Sequence, residues 1–249
     1  MSERQDIDFI LSDWPFQPGV IAARIVQAED GREVLQMRIE LGILQMETSG
    51  RPDGLRPAGA ETYLDYLNSQ LIHQGTAFAL AEKDYLEINR EFLQFYHRRI
   101  CCLVLRKFRL AVADADHTLA LMDFLARWSD DQEWIQSHEQ YRSFVLFHRA
   151  QAAALAELTE SGPEAAIEEI TRSLERIRQV YVKQEAEEQF AQDELVNQLL
   201  QLKESLRNEY HVGRTLAEQL ADAIAAEEYE RAARLRDQIA RRHGKHRQL

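Results

Sequence analysis

The stretch Glu228-Tyr229-Glu230-Arg231-Ala232-Ala233-Arg234-Leu235-Arg236-Asp237-Gln238-Ile239 sets small and apolar residues three and four positions apart among charges. That is the spacing of one helix face, and neither proline nor glycine interrupts the run. A second helical run precedes it, with Leu216, Leu220, Ala223 and Ile224 on one face, and Ala226-Glu227-Glu228 forms the turn between them. In the second helix Tyr229, Ala232, Ala233, Arg236 and Ile239 are expected to share a face. Paired alanines let two helices approach closely while leucine and isoleucine fill the flanking grooves. Arg236 is expected at the rim of that seam, within reach of a carboxylate or a free helix-end carbonyl. Asp237 is placed to pair with Arg241 at i, i+4, worth about 0.3–0.5 kcal/mol.

Helical spacing extends back through most of the chain. The sequence holds ten glycines and five prolines, most of them before residue 60, so the remainder is free to be almost continuously helical. Tyr63, Leu64, Leu67 and Leu71 recur at helical spacing, with a break at Gly75-Thr76. A longer helix is expected from Ala81 to Leu105, carrying Tyr85, Ile88, Phe92, Phe95, Tyr96 and Ile100 on its apolar positions. Leu110 to Trp128 makes the next helix, and Ser129-Asp130-Asp131 supplies a stop and a fresh N-cap. Gln132 to Leu158 is expected as one helix, and Ser161-Gly162-Pro163 turns the chain into another. From Ile177 to about Arg207 acids crowd together around the seam Leu195, Leu199, Leu202 and Leu206, predicting a long exposed helix with partial coiled-coil character.

The first sixty residues differ in kind. Val20 to Val26 is a β-branched run that reads as a strand, and Leu35, Met37, Ile39, Leu41 and Ile43 alternate with polar residues at a period of two. Between them Glu29-Asp30-Gly31-Arg32 suits a tight turn with positive φ, which predicts a β-hairpin. A lone hairpin is marginal in water, so it needs a third strand (Leu44 to Thr48 is available), a covering helix or a second copy of itself. Arg51-Pro52-Asp53-Gly54 follows as a turn.

Two resemblances rest on these patterns. The ordered string Tyr229-Glu230-x-Ala232-Ala233-x-Leu235-Arg236-Asp237-x-Ile239 resembles the second helix of the UVR motif, the helical hairpin of the repair proteins UvrB and UvrC, over about Thr215 to Arg242. That resemblance implies an interaction device, with Leu216, Leu220, Ile224, Tyr229, Ala232, Ala233, Arg236, Asp237 and Ile239 as partner-binding residues. The segments Phe108 to Leu119 and Pro163 to Leu174 resemble second helices of tetratricopeptide (TPR) repeats, with Ala111 and Ala166 at positions of close helix packing. Their separation and the degraded first-helix signature depart from a regular array. The expected fold is mainly α: an N-terminal β-hairpin module over 1–59, TPR-like helical hairpins over 60–180, a long charged helix over 181–212, and a UVR-type hairpin with a basic tail over 213–249.

Charge and chemistry narrow the function. The net charge of −12 repels phosphate backbones except where basic groups concentrate, as at Arg241, Arg242, Lys245 and Arg247. Two readings of that tail compete: cations favoured at a helix C-terminus, and direct nucleic-acid contact. Cys101 and Cys102 are adjacent in an apolar helical stretch, which suits buried free thiols in a reducing cytoplasm rather than a disulfide or a zinc pair. No Gly-x-x-x-x-Gly-Lys-Ser/Thr loop occurs, which excludes that route to ATP-driven strand separation, and a signal peptide and a membrane span are not expected. Asp114, Asp116 and His117, and the spread histidines His97, His138 and His148, are the metal or catalytic candidates, read as solvated or hydrogen-bonded side chains. Trp14, Trp128 and Trp134 read as packing anchors. The resulting expectation is a cytoplasmic, non-enzymatic interaction protein with no cofactor and no metal. Its partner is a UVR-bearing protein or a second copy. The alternative is an accessory role in DNA damage repair through that partner.

Overall fold

The computed structural model describes residues 6–246, with side chains described as far as Arg241. The chain divides into two units, with the boundary between Ala152 and Ala153.

In the first unit the period-two pattern produces a three-stranded antiparallel meander: β1 (Ala22–Gln27), β2 (Glu33–Ile39) and β3 (Gly42–Glu47). Ile25 pairs with Leu35, and Met37 with Leu44. The first turn closes as its sequence requires, with Gly31 at φ +84° and Asp30 accepting from the Arg32 backbone N–H at 3.2 Å. The required third strand begins two residues earlier than Leu44. Leu41, expected to continue the alternation of β2, instead occupies the tight β2–β3 connection and is 88% exposed.

One sheet face, carrying Leu35, Met37, Leu44 and Met46, lies on Ile100, Cys101, Cys102 and Ala111. On strand β2 the buried polar residues Gln36 and Arg38 point the opposite way, as alternation dictates. They are satisfied locally: Arg38 Nε donates to the Trp14 carbonyl at 2.7 Å and Gln36 bonds both Arg24 and Gln45 at 2.9 Å. Trp14, just after helix α1 (Asp8–Asp13), lies 4.3 Å from the Arg24 guanidinium.

Helix α2 (Tyr63–Gln74) leads into the hairpin of α3 (Glu82–Val104) and α4 (Phe108–Trp128), which pack along their lengths. Ala111 and Ala115 are fully buried where the helices meet. Trp128 and Trp134 sit in the apolar cluster around Tyr63, Leu67, Ile88 and Leu125, bearing out their reading as anchors. The helix expected over Gln132–Leu158 is broken into α5 (Gln132–Glu139) and α6 (Arg142–Glu160). The break falls at 140–141, just after a turn in which the Ser137 hydroxyl and the His138 ring both bond the Trp134 carbonyl, at 2.6 and 2.9 Å.

In the second unit α7 (Pro163–Lys183) enters from Gly162 at φ +94°. The stretch expected as one long exposed helix is divided. Glu185 turns to φ +55°, α8 (Glu187–Phe190) is a single turn, and Asp193 caps α9 (Glu194–Glu209) by accepting from the Leu195 and Val196 N–H groups. Helix α9 then returns along α7, so Val196, Leu199 and Leu206 are buried rather than displayed. The acid-rich segment is the bend, not a helix face. Helices α10 (Leu216–Ala225) and α11 (Tyr229–His246) close the chain as the expected hairpin. Among the described residues, no helix is long and apolar enough to cross a membrane.

Candidate protein-docking site

The terminal hairpin begins on a complete capping box. Thr215 Oγ1 accepts from the Glu218 N–H at 3.3 Å, and the Glu218 carboxylate accepts from the Thr215 N–H at 3.0 Å. The same carboxylate receives Lys203 Nζ at 2.7 Å and Arg207 Nη2 at 2.6 Å from α9. Partial burial pushes the Glu218 carboxyl up, but the hydrogen bonds from Lys203, Thr215 and Arg207 outweigh it and hold the group down at about 2. Glu218 thus ties α10 to α9 through charge, and Arg207 adds a bond to the Gly213 carbonyl at 2.6 Å.

The two helices meet through few side chains. Ala223, Ala232 and Leu235 form the buried seam, with Leu216 and Leu220 half-buried beside it. The turn at 226–228 is as expected, with Glu227 at φ +56°. The composition of the seam is not. Ala233 and Arg236, expected on the packed face with Ala232, are exposed, whereas Leu235, left out of that face, is its main apolar residue. The reason is angular: positions 232, 235 and 239 keep to one stripe at three- and four-residue spacing, and 233 and 236 lie about 100° further round. Ile239 remains half-buried on the stripe. Arg236 bonds its neighbour Asp237 at 3.3 Å, so the expected Asp237–Arg241 pair is replaced by a contact between adjacent, exposed residues.

What the hairpin leaves outside is apolar beside the turn and cationic along α11. Ile224 is 55% exposed and Tyr229 69% exposed on either side of the turn. Further along, Arg231, Arg234 and Arg241 border a groove of ≈ 600 Å³ with Leu235 in its lining. Arg241 is exposed on α11. The side chains of Arg242 and Lys245, and Arg247 altogether, lie outside the described residues.

The family model of the UvrB/uvrC motif matches residues 214–241, which are this hairpin. The chain carries a UVR motif. No curated protein and no solved structure matches the chain.

The competing candidates are placed elsewhere and do not converge. Asp114 is buried and receives Arg98 Nη2 at 2.7 Å. His117 Nε2 donates to Glu91 at 2.8 Å while its ring stacks on Phe95, and Asp116 faces Arg149. His138 packs edge-on against Phe92 and Trp134, and His148 accepts from Arg99. Burial, together with the Arg99 charge, holds His148 down to about 4, so its imidazole is neutral at pH 7. Burial alone lowers His97. Among the described residues no group of three or more His, Cys, Asp or Glu side chains is arranged to hold a metal. Cys101 and Cys102 are buried free thiols, each pushed up to about 12 by burial, which leaves them protonated and unreactive.

Proposed function

We propose that this protein is a non-enzymatic adaptor that docks through the terminal hairpin to a UVR-bearing protein, with the helical hairpins over 60–180 serving as a TPR-like scaffold. The observation that carries this reading is the contrast within α10 and α11. Their shared seam amounts to Ala223, Ala232 and Leu235, while Ile224 and Tyr229 stay in solvent. A seam this small gives a short hairpin little stability of its own. A second hairpin laid against Ile224 and Tyr229 would extend the apolar contact at low cost, because no charge has to be stripped from those two positions. A second copy of the chain presents the same face, so self-association is the competing outcome at this surface.

A pull-down from cell extract tests the reading, comparing the intact chain with one ending at Tyr210 and identifying partners by mass spectrometry. The expected result is a UVR-bearing protein recovered at least tenfold more strongly with the intact chain. Equal recovery sinks the proposal.

The second reading, an accessory role in DNA damage repair, draws on the groove of α11, where Arg231, Arg234 and Arg241 gather on an acidic chain. Reversing Arg231, Arg234 and Arg241 to glutamate should remove any salt-sensitive DNA binding. Absence of DNA binding by the intact chain at low salt counts against direct contact and leaves repair to be reached through the partner alone.

A further inference from the structure

The first unit contains a second cavity whose chemistry the docking hairpin does not use. It measures ≈ 400 Å³, with Phe92, Tyr96 and Phe144 as aromatic walls, Leu93 and Tyr141 at a solvent-exposed mouth, and Arg99 at its floor. Arg99 is 1% exposed and comes from α3. Its Nη1 donates to Thr118 Oγ1 at 3.0 Å and its Nε to His148 Nδ1 at 3.4 Å, and both of those partners are neutral acceptors. Among the described residues, this guanidinium forms no ion pair within 4 Å, and its bonds to Thr118 and His148 neutralise none of its charge.

The neighbouring buried arginines show how unusual this is. Arg98 is held by Asp114 at 2.7 Å, and Arg51 by Glu87 at 2.6 Å. An arginine taken out of water without a counter-ion is costly, and buried guanidiniums are normally paired. Arg99 therefore presents a positive charge with no carboxylate in direct contact, Asp114 acting on it only from a distance, at the base of an apolar, ring-walled cavity. The Tyr96 ring centroid lies 5.8 Å from its Cζ, and the Phe144 ring 4.2 Å from that of His148, so aromatic surface continues down to the charge.

We propose that this cavity binds a small monocarboxylate bearing an aromatic ring, its carboxylate on Arg99 and its ring between Tyr96, Phe92 and Phe144. One guanidinium beside a neutral imidazole balances a single negative charge, which favours a carboxylate over a phosphate dianion. The volume falls within the range of small-molecule pockets, and the apolar walls supply the contact area while the arginine fixes orientation.

Titration calorimetry on the full chain tests this with phenylacetate and indole-3-acetate as probes, against phenylacetamide and phenyl phosphate as controls of the same ring size. At least one of the two carboxylates should bind at least tenfold more tightly than both controls. Arg99→Lys should weaken that binding at least tenfold. Should Arg99→Lys fail to fold, Leu93→Trp at the exposed mouth blocks entry without touching the buried charge and should have the same effect on affinity. Absence of binding by either carboxylate overturns the proposal, as does equal affinity for the amide, tighter binding of the phosphate, or a folded Leu93→Trp chain that binds like the parent.

Discussion

The two ends of this chain handle charge in opposite ways. In the first unit, charges are buried and tied into the packing. Glu91 is 0% exposed, accepts the Tyr63 and Leu64 N–H groups at 2.6 and 3.1 Å, and receives His117 at 2.8 Å, so it caps α2 from within α3. Arg98 joins α3 to Asp114 of α4 and to the Glu47 and Gly50 carbonyls at 3.0 and 2.8 Å, fastening the end of the sheet to the helices. In the terminal hairpin, Glu218 apart, the charges along α11 face solvent and the buried seam is slight. The first arrangement specifies one fold, since each buried group has a place that only the native packing fills. The second leaves surface available to a partner.

Removing a member of the buried network should have the largest effect. Glu91→Ala strips the acceptor from two backbone N–H groups and His117, and its expected cost is about 3–5 kcal/mol, read by urea denaturation. A loss below about 1 kcal/mol would show that the network is ornamental and remove the contrast. Leu235→Ala in the hairpin should cost about 2 kcal/mol. That loss should stay local: amide exchange should quicken in α10 and α11 and leave α3 and α4 unchanged. Exchange quickening equally in both would deny the hairpin its separate character.

Acid should separate the two regions further. His148 has its folded pKa depressed to about 4, so the stability it contributes is present above its unfolded value of 6.5 and lost as pH falls from 6.5 toward 4. Glu218, also depressed, to about 2 from 4.5, contributes stability above 4.5 that is lost as pH falls from 4.5 toward 2. Amide exchange at α3 and α4 should therefore respond in the upper window and that at α10 in the lower one. Coincident responses would contradict the assignment of these groups. The smallest effect on stability is expected from Tyr229→Ala, an exposed position, within about 0.5 kcal/mol.

How much of this was legible beforehand depended on whether polarity agreed with position. The β-hairpin could be read because Leu35, Met37 and the Asp30-Gly31 turn all point to the same structure. The α3/α4 hairpin could be read because Ile88, Phe95 and Ala111 keep helical spacing. The buried charges could not, since an arginine or glutamate on a helix is ordinarily solvated. A signal was nonetheless present: Ile88, Glu91, Phe95, Arg98 and Cys102 alternate by three and four residues, placing Glu91 and Arg98 on the apolar stripe itself. The bend at Glu185 was hidden because acids suit a helix surface as well as a loop. In the terminal hairpin the motif is legible but the packed face is not: alanine fits either side of a helix, so Ala232 and Ala233 cannot be told apart by type, and Leu235 rather than Arg236 completes the stripe.

The most direct measurement is the affinity of the full chain for a purified UVR-bearing protein, by titration calorimetry, for the parent and for an Ile224→Asp, Tyr229→Ala double variant of unchanged melting temperature. Docking through the exposed hairpin face predicts that the double variant loses at least a hundredfold in affinity. An affinity equal to the parent's contradicts it.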